Sequence, residues 1–310
     1  MEQKAISIII PTHNNAHYLK RSLASCLEQD FKLPFEILVI DDCSEDETKQ
    51  IVEELRKEHS NIRYFYVANR CPLKNRLYGV EQAEGECIIF LDADDYLAKN
   101  MLSKMHQTLK ENEADLVNCG MNYIKKGGIR PSKLVKDATY NRNEAIKALF
   151  DDTSFRSFLH TKIFKKELLL KMDFLGKIEL HNFMFEDSLL CFHYLLLSKK
   201  VISIKDRLHY YEKTNEGSAT SKGYQRAIDN VSVRTSIRAK IEDMGDTDLR
   251  KLFLKSKVRT RLLLASDYVL SVFPDKKTKK EIKAKTKADF KNAYGKTFSR
   301  DKANYKELVY

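Results

Sequence analysis

Short apolar runs alternate with helical patterns in the first hundred residues, and this alternation constrains the fold more than any other feature. The apolar runs, rich in β-branched side chains, cover residues 6–10, 35–40, 62–67 and 86–91. Between the first two, Leu19, Leu23 and Leu27 recur at helical spacing. Strands that alternate with helices predict a parallel sheet with right-handed crossovers. We therefore expect an α/β fold with a mostly parallel sheet flanked by helices.

Polar residues follow each apolar run. They are residues 11–15, Asp41 with Asp42, Asn69, and residues 92–95. In open α/β sheets, ligands bind outside the carboxyl ends of the strands, so these clusters predict a ligand site at one sheet edge. No GxGxxG or P-loop follows the first strand, which disfavours a dinucleotide or P-loop site.

The fourth run leads directly into three carboxylates, Asp92, Asp94 and Asp95. Clustered carboxylates repel one another unless a cation lies among them. Mg²⁺ and Mn²⁺ prefer carboxylate oxygens and usually share them with phosphates. One interpretation is therefore a metal–diphosphate site at the end of a central strand. The other is a polar turn that caps the next helix, and these residues alone do not decide between the two.

Length and cysteine usage limit the class of protein. A chain of 310 residues is long enough for one large domain or two. Its six cysteines are scattered without a CxxC pair, which argues against a zinc site or a disulfide framework. No apolar run reaches the length of a membrane helix, and residues 1–5 lead directly into a strand without a signal peptide. We expect a cytoplasmic protein with free thiols.

Three ordered motifs resemble the family 2 glycosyltransferases of the GT-A fold, in particular bacterial enzymes that build cell-surface polysaccharide or teichoic acid. They are residues 8–14, residues 39–46, and residues 83–95, with matching spacing across residues 1–110. The resemblance implies a nucleotide-diphosphate sugar donor, a Mn²⁺ or Mg²⁺ ion, and inversion at the anomeric carbon. It also implies two parts of a catalytic domain, 1–110 for the nucleotide sugar and 111–220 for the acceptor.

The resemblance also assigns donor-binding residues. Pro11, Thr12 and Asn14 would line the nucleoside. Asp42 would accept the uracil N3–H, with Asp41 beside it, so that UDP is the expected nucleotide. Asp92 would bind the ribose or sugar side, and Asp94 would hold the metal on the diphosphate. Asn69 and Arg76 match two further donor-site positions, although the family residue after Arg76 is Asn and here it is Leu77.

Glu186 and Asp187 open an apolar helical pattern in the second part of the domain. The structural interpretation is that both carboxylates favour the positive end of the helix dipole. The functional interpretation, implied by the family, is that Asp187 is the general base and Glu186 supports the site. Inverting transfer needs a carboxylate that removes a proton from the acceptor hydroxyl.

Residues 221–310 form a basic C-terminal module. They hold 23 Lys/Arg and 11 Asp/Glu, a net charge of +12, whereas residues 1–220 have a net charge of −1. Their helical patterns include residues 228–244, a second helix starting at Asp246 or Thr247, and a basic stretch over 276–298. The module can be a solvated helical appendage, or it can bind an anionic polymer acceptor, the inner membrane face, or sister subunits.

The predicted function is thus metal-dependent transfer of a hexosyl or N-acetylhexosaminyl group to a cell-surface glycan or teichoic-acid-like acceptor. The first alternative is a sugar-phosphate nucleotidyltransferase, which normally needs a Gly- and Lys/Arg-rich loop that residues 11–15 do not provide. The second is a non-enzymatic protein that binds nucleic acid or another anionic polymer. No nucleic-acid recognition motif accompanies the basic charge, and we expect no nucleic-acid partner.

Overall fold

The computed structural model describes residues 3–132, 135–151, 155–172 and 186–215, together with 233, 236, 237 and 239–255. The strands are β1 (Ile6–Thr12), β2 (Phe35–Asp42), β3 (Ile62–Val67), β4 (Cys87–Phe90), β5 (Tyr96–Leu97), β6 (Leu116–Lys125), β7 (Gly128–Pro131), β8 (Ala138–Asn141), β9 (Lys162–Lys165) and β10 (Lys200–Glu212). The helices are α1 (Ala16–Leu27), α2 (Thr48–Arg56), α3 (Pro72–Gln82), α4 (Met101–Glu111), α5 (Arg142–Asp151), α6 (Lys166–Leu170), α7 (Glu186–Leu197) and α8 (Thr247–Lys255), with a 3-10 turn at Leu159–Thr161.

The described strands form one mixed sheet in the order β3-β2-β1-β4-β9-β6-β10-β5, with β7 beside β6 and β8 beside β10. The first four strands pair in parallel, as the sequence predicts. Strand β9 then runs antiparallel between β4 and β6. The carboxyl ends of β1, β2 and β4 therefore lie at one edge, which brings their polar residues together.

Helices cover both faces of the sheet because successive strand residues point to opposite sides. Ile9 packs with α3, α5 and α7 on one face. Ile8 and Ile10 pack with α1 and α4 on the other. All three isoleucines are fully buried. Strands with apolar residues on both sides explain the continuous apolar runs in the sequence.

A buried carboxylate, Glu36, connects the amino ends of the first four strands. It accepts hydrogen bonds from Ser7 Oγ at 2.6 Å, Lys4 Nζ at 3.1 Å and Arg63 Nη1 at 2.8 Å. The backbone N–H of Glu84, just before β4, donates at 2.6 Å. Burial alone would raise the pKa of Glu36, but these donors hold it below its usual range. The cluster thus fixes the sheet at the end opposite the polar strand ends.

Two turns differ from what local spacing predicts. Ser44 and Glu47 have the spacing that predicts a capping box at the start of α2, but Glu47 makes no side-chain cap bond to α2. Asp46 instead accepts from the N–H groups of Thr48 at 3.1 Å and Ala16 at 2.9 Å. The predicted capping box is wrong because Asp46 serves the start of α2 and also holds the start of α1.

Gly85 follows a helical pattern in the sequence, a position that predicts a helix C-cap, but its role is different. Helix α3 ends at Gln82, and the cap residue Ala83 is extended. A Cβ atom on Gly85 would lie 2.5 Å from the backbone nitrogen of Ser7. Gly85 also donates its N–H to Ser7 Oγ at 2.8 Å. The glycine is therefore needed where the chain passes close to β1.

The described part of the C-terminal module packs on the body. Val233, Ile237 and Ile241 are buried in the same apolar cluster as α5 and α7. Helix α8 starts at Thr247 as predicted, with Asp246 Oδ1 accepting from the N–H of Leu249 at 2.9 Å. Phe253 meets Phe150 edge to face at 5.4 Å. The basic stretch over 276–298 lies outside the described residues.

Among the residues that the structure describes, no helix has the length and apolar character needed to cross a membrane.

We predict that Glu36→Gln lowers the free energy of unfolding by about 2–4 kcal/mol at pH 7, because it leaves partly buried cations without their charge partner. The folded-state pKa of Glu36 is lowered. Its contribution is therefore present above the unfolded pKa of about 4.3 and is lost as pH falls through the folded value. Urea unfolding should show a smaller difference in the free energy of unfolding between the wild type and Glu36→Gln at pH 3.5 than at pH 7.

The matched control is Glu53→Gln, which removes an exposed helical pair with Arg56. Such a pair contributes at most about 0.5 kcal/mol. Equal losses for the two variants at pH 7 would contradict the role given to Glu36.

Candidate active site

Three loops at the carboxyl edge of the sheet contain a residue in the left-handed backbone region. These are Asn14 after β1, Cys43 after β2 and Arg70 after β3, with φ of 53°, 60° and 49°. Non-glycine residues in this region are costly and cluster at functional sites. Each one turns the chain sharply as it leaves a strand, so that the loops stay close to the sheet edge.

Asp41 is fully buried at the end of β2. Its Oδ1 accepts from the N–H of Ser44 at 2.9 Å, and its Oδ2 accepts from the Tyr64 hydroxyl at 2.6 Å. Both oxygens therefore hold the loop after β2 against β3. Asp41 therefore stabilises the end of β2, where the neighbouring Asp42 lies.

Asp42 connects β2 to helix α3. Its Oδ1 accepts from the N–H of Arg70 at 2.9 Å, and its Oδ2 accepts from Asn75 Nδ2 at 2.8 Å. Asn69 Nδ2 in turn donates to Asn75 Oδ1 at 2.9 Å. Each carboxylate oxygen has a second lone pair. The structure thus orients the Asp42 carboxylate while it keeps the capacity to accept another hydrogen bond.

The loop after β1 completes this end of the site. Pro11 and Thr12 end the strand, and Asn14 is exposed beyond them. Asn14 Oδ1 accepts from the N–H of Glu45 at 2.8 Å, which joins the loops after β1 and β2. Thr12 Oγ1 is buried and has no hydrogen-bond partner among the described residues.

Arg76 is a buried guanidinium on α3 that reaches the end of β4. Its Nη2 donates to Asp92 Oδ1 at 2.7 Å, and His160 Nδ1 lies 3.4 Å from Asp92 Oδ2. Burial alone would raise the pKa of the Asp92 carboxyl, but Arg76 and His160 hold it well below its usual range. Asp92 is therefore ionised. Asn75 and Arg76, adjacent on α3, orient Asp42 and Asp92 at the two ends of the edge.

The same guanidinium approaches the candidate general base. Arg76 Nη1 lies 3.9 Å from Asp187 Oδ1, at the start of α7. Asp187 has 24% of its side chain exposed, so it faces the site without being isolated from solvent. Helix α7 begins at Glu186, whose side chain lies outside the described part of the chain. The structure therefore brings Asp187 to the edge defined by Asp92 and leaves the predicted role of Glu186 untested.

Asp94 and Asp95 follow in the same turn. Asn215 Nδ2 donates to Asp94 Oδ2 at 2.9 Å, and Arg21 Nη2 donates to the Asp94 carbonyl at 2.7 Å. Burial and the charge of Asp92 raise the pKa of Asp94. The Asp95 carboxyl is fully buried, and burial with the nearby Asp92 and Asp94 charges raises its pKa well above the usual range. The turn thus carries negative charge that a cation would relieve.

Two buried histidines lie against this turn. The imidazoles of His160 and His209 stack at 4.2 Å, and His209 Nε2 lies 3.3 Å from Asp95 Oδ2. One ligand atom from each of Asp95, His160 and His209 lies within 4.8 Å of the others. Burial lowers the pKa of His209 well below its usual value, so the imidazole is neutral and can act as a ligand. Carboxylate oxygens and neutral imidazole suit a divalent cation such as Mn²⁺.

The family profile described as Glycosyl transferase family 2 matches residues 7–170, more than half of the chain. The chain belongs to glycosyl transferase family 2. It is 30% identical over 237 residues to the poly(ribitol-phosphate) beta-N-acetylglucosaminyltransferase TarS of Staphylococcus aureus, covering 76% of this chain and 40% of TarS. It is 36% identical over 172 residues to a Campylobacter jejuni GalNAc(5)-diNAcBac-PP-undecaprenol beta-1,3-glucosyltransferase, covering 53% and 52%. The chain thus spans about half the length of these curated relatives or less.

Solved structures show the same fold. The crystal structure of S. aureus TarS 1–349 in complex with UDP-GlcNAc matches with a TM-score of 0.63 at 24% identity, over 87% of this chain and 82% of that one. The Pyrobaculum calidifontis mannosyltransferase PcManGT in complex with GDP-Man and Mn²⁺ matches with a TM-score of 0.58 at 18% identity, over 95% and 88%. The predicted GT-A fold is confirmed.

Within this family 2 domain, the polar contributors that the sequence did not predict include Asn75, His160 and Asn215. Asn75 precedes Arg76 in the segment that carries the resemblance, so its position was a usable signal. His160 lies in an apolar stretch and gives no pattern of its own. Its turn is held by the buried ammonium of Lys162, which donates to the Phe158 carbonyl at 2.8 Å. Asn215 reaches Asp94 from a position 121 residues later, a contact that only the fold reveals.

Proposed function

We propose that this family 2 protein is a metal-dependent, inverting glycosyltransferase that moves a sugar from a UDP-sugar to a hydroxyl of a cell-surface glycan. The observation that carries the proposal is the position of Arg76, which contacts both Asp92 and Asp187. Arg76 thus links Asp92, at the donor edge of the sheet, to Asp187, the carboxylate that we assign as the general base. A sugar held against Asp92 would then have its anomeric carbon facing Asp187.

In the proposed mechanism, Asp187 accepts the proton of the acceptor hydroxyl while the hydroxyl oxygen attacks the anomeric carbon. The bond from that carbon to the diphosphate oxygen breaks on the opposite face, so the configuration inverts. Asp42 and the loops after β1 and β3 hold the nucleoside and orient the donor for in-line attack. A divalent cation at Asp94, with Asp95, His160 and His209 beside it, would neutralise the leaving diphosphate.

The names of relatives support the substrate classes. TarS and TarP of S. aureus are both named poly(ribitol-phosphate) beta-N-acetylglucosaminyltransferases, and TarP is 30% identical over 69% of this chain. The TarS complex contains UDP-GlcNAc. We therefore propose a UDP-linked hexose or N-acetylhexosamine as donor and a polyol-phosphate or related polymer as acceptor. A cytoplasmic location, contact with the membrane face and subunit association stay predictions from the sequence.

The first prediction tests the metal. Asp94→Asn should not lower the stability of the metal-free protein, because the raised pKa shows that the folded state disfavours this charge. It should remove the thermal stabilisation that Mn²⁺ with UDP gives the wild type, and with it sugar transfer. Melting temperatures in EDTA and in Mn²⁺ with UDP measure both effects. The exposed Asp243→Asn is the control, and a fully active Asp94 variant would refute the assignment.

The second prediction tests the base. Asp187→Asn is nearly isosteric and should lower kcat by on the order of 10² or more, with little change in donor affinity. Steady-state kinetics with a fixed acceptor and varied UDP-sugar separate the two parameters. Glu186→Gln is the paired variant. If Glu186→Gln were inactive and Asp187→Asn near wild type, the assignment within the pair would be reversed.

The third prediction tests the nucleotide. Uracil N3–H is a donor that cytosine lacks, so UDP should bind better than CDP by roughly 1–3 kcal/mol if Asp42 accepts it. Asp42→Asn should narrow this difference, since an amide can donate as well as accept. Calorimetric titration of UDP and CDP in Mn²⁺ measures the ratio. Equal binding of the two nucleotides to the wild type would contradict the placement of Asp42.

A further inference from the structure

A pocket lined by lysines adjoins the carboxylate turn. Its described lining residues are Lys125, Lys126, Lys213, Thr214 and Asn215, and its volume is about 340 Å³. That volume is several times the roughly 30 Å³ share of one water molecule, so the pocket can hold a polyatomic group. None of these five lining residues is acidic. Three of the five are lysines, so the described lining is basic.

Two segments of the acceptor half build this pocket. Lys125 ends β6 and Lys126 starts the turn into β7, where Gly127 and Gly128 have φ of 97° and 114°. Lys213 follows β10, and its N–H donates to the Ile124 carbonyl at 3.1 Å. This bond joins the segment after β10 to β6 beside the turn, so the lysines of both segments share one space.

The ring of Tyr123 contacts two of the ammonium groups. Lys213 Nζ lies 4.5 Å from the ring centroid and Lys125 Nζ lies 5.9 Å from it. The Tyr211 ring also lies 5.7 Å from Lys213 Nζ. Cation–π contacts hold both ammonium groups beside the ring and leave their positive charge in place. This charge favours an anion as the ligand of the pocket.

Asn215 connects the pocket to the carboxylate turn. It lines the pocket, and its Nδ2 donates to Asp94 Oδ2 at 2.9 Å. A ligand in the pocket is therefore separated from the proposed metal site by one side chain. Glu212 is engaged elsewhere, with Arg21 at 3.0 Å and the Thr214 hydroxyl at 2.7 Å.

We propose that this lysine pocket binds a phosphate of an acceptor whose units are joined by phosphodiesters, and so holds the neighbouring unit's hydroxyl near the donor. The proposal rests on the glycosyltransferase function above. The donor diphosphate is the other source of phosphate. The acceptor is favoured because the lysines belong to β6, the β6–β7 turn and the segment after β10, whereas the proposed nucleotide edge is built by β1–β4.

The test measures binding directly. A short poly(ribitol phosphate) oligomer and UDP with Mn²⁺ are titrated separately into the wild type and into the double variant Lys125→Gln/Lys126→Gln. We expect the oligomer to bind the double variant about tenfold more weakly, with a smaller dependence on salt, because two phosphate-facing charges are removed. The dissociation constant for UDP should not change.

Two matched variants serve as controls. Lys125→Arg/Lys126→Arg keeps both charges and should bind the oligomer within about twofold of the wild type, an effect below 0.4 kcal/mol by the usual conversion. Lys49→Gln removes an exposed lysine on α2, near the other end of the sheet, and should change neither titration. Melting temperatures of all variants are measured alongside, so that weaker oligomer binding in a variant that remains folded is assigned to the lost charges.

Other results would overturn the proposal. Weaker UDP binding with unchanged oligomer binding would assign the lysines to the donor diphosphate. Unchanged binding of both ligands would show that the pocket takes no part in substrate recognition. A wild type that binds UDP but not the oligomer would refute the pocket and leave the glycosyltransferase function intact. Failure to bind UDP and to hydrolyse any nucleotide sugar would instead refute the proposed function itself.

Discussion

The carboxylates of Asp92, Asp94 and Asp95, crowded into one largely buried turn, are the constraint on which the rest of the site depends. Without compensation their mutual repulsion would oppose folding of the turn. The fold supplies a different compensation for each. Asp92 receives the Arg76 guanidinium at 2.7 Å, Asp94 receives Asn215 at 2.9 Å, and Asp95 receives the N–H of Glu212 at 2.8 Å. These partners come from α3 and from the end of β10 and the segment that follows it.

Charge compensation therefore links segments that are distant in sequence. Arg76 cannot reach Asp92 unless α3 crosses over the sheet from β3 to β4. Glu212 and Asn215 cannot reach the turn unless β10 runs past the end of β4, beside the short strand β5. The two predicted parts of the catalytic domain, residues 1–110 and 111–220, thus share one electrostatic centre. Burial, followed by the nearby carboxylate charges, raises the pKa values of Asp94 and Asp95. A cation at Asp94 would offset the negative charge that the polypeptide leaves at this turn.

The sequence predicted the parts of the structure that depend on local pattern. The first four strands and the order of their polar ends follow from apolar runs and turn residues. The sequence position of Asn141 before a helical pattern predicts a cap of α5. In the structure Asn141 and Glu144 exchange hydrogen bonds at 3.0 and 2.9 Å. Ser44 and Glu47 have the same spacing and do not cap, since Asp46 takes that role through a contact with α1. Local spacing cannot reveal such a tertiary competitor.

The site was predictable where a residue follows a strand, and unpredictable where a distant segment enters it. Asp42, Asp92 and Asp94 fall at strand ends, so the parallel sheet alone places them together. His160 enters from a 3-10 turn held by the buried Lys162, and neither residue has a periodic signal. A buried lysine that donates to backbone carbonyls is costly unless its ammonium is well bonded. Lys162 holds the 3-10 turn, and this turn places the imidazole of His160 against Asp92. This role explains why a lysine is buried here.

The net charge of a long segment hides a local separation of positive and negative side chains, and this separation matters more for substrate binding. Residues 1–220 have a net charge of −1, yet three carboxylates lie on one side of Asn215 and three lysines on the other. Asn215 lies between the two groups, since it lines the lysine pocket and donates to Asp94. In our proposal, two phosphate-bearing ligands would be bound by two different means, a cation at the carboxylates and direct contact at the lysines. This difference would allow one domain to hold a donor diphosphate and an anionic acceptor side by side and still discriminate between them.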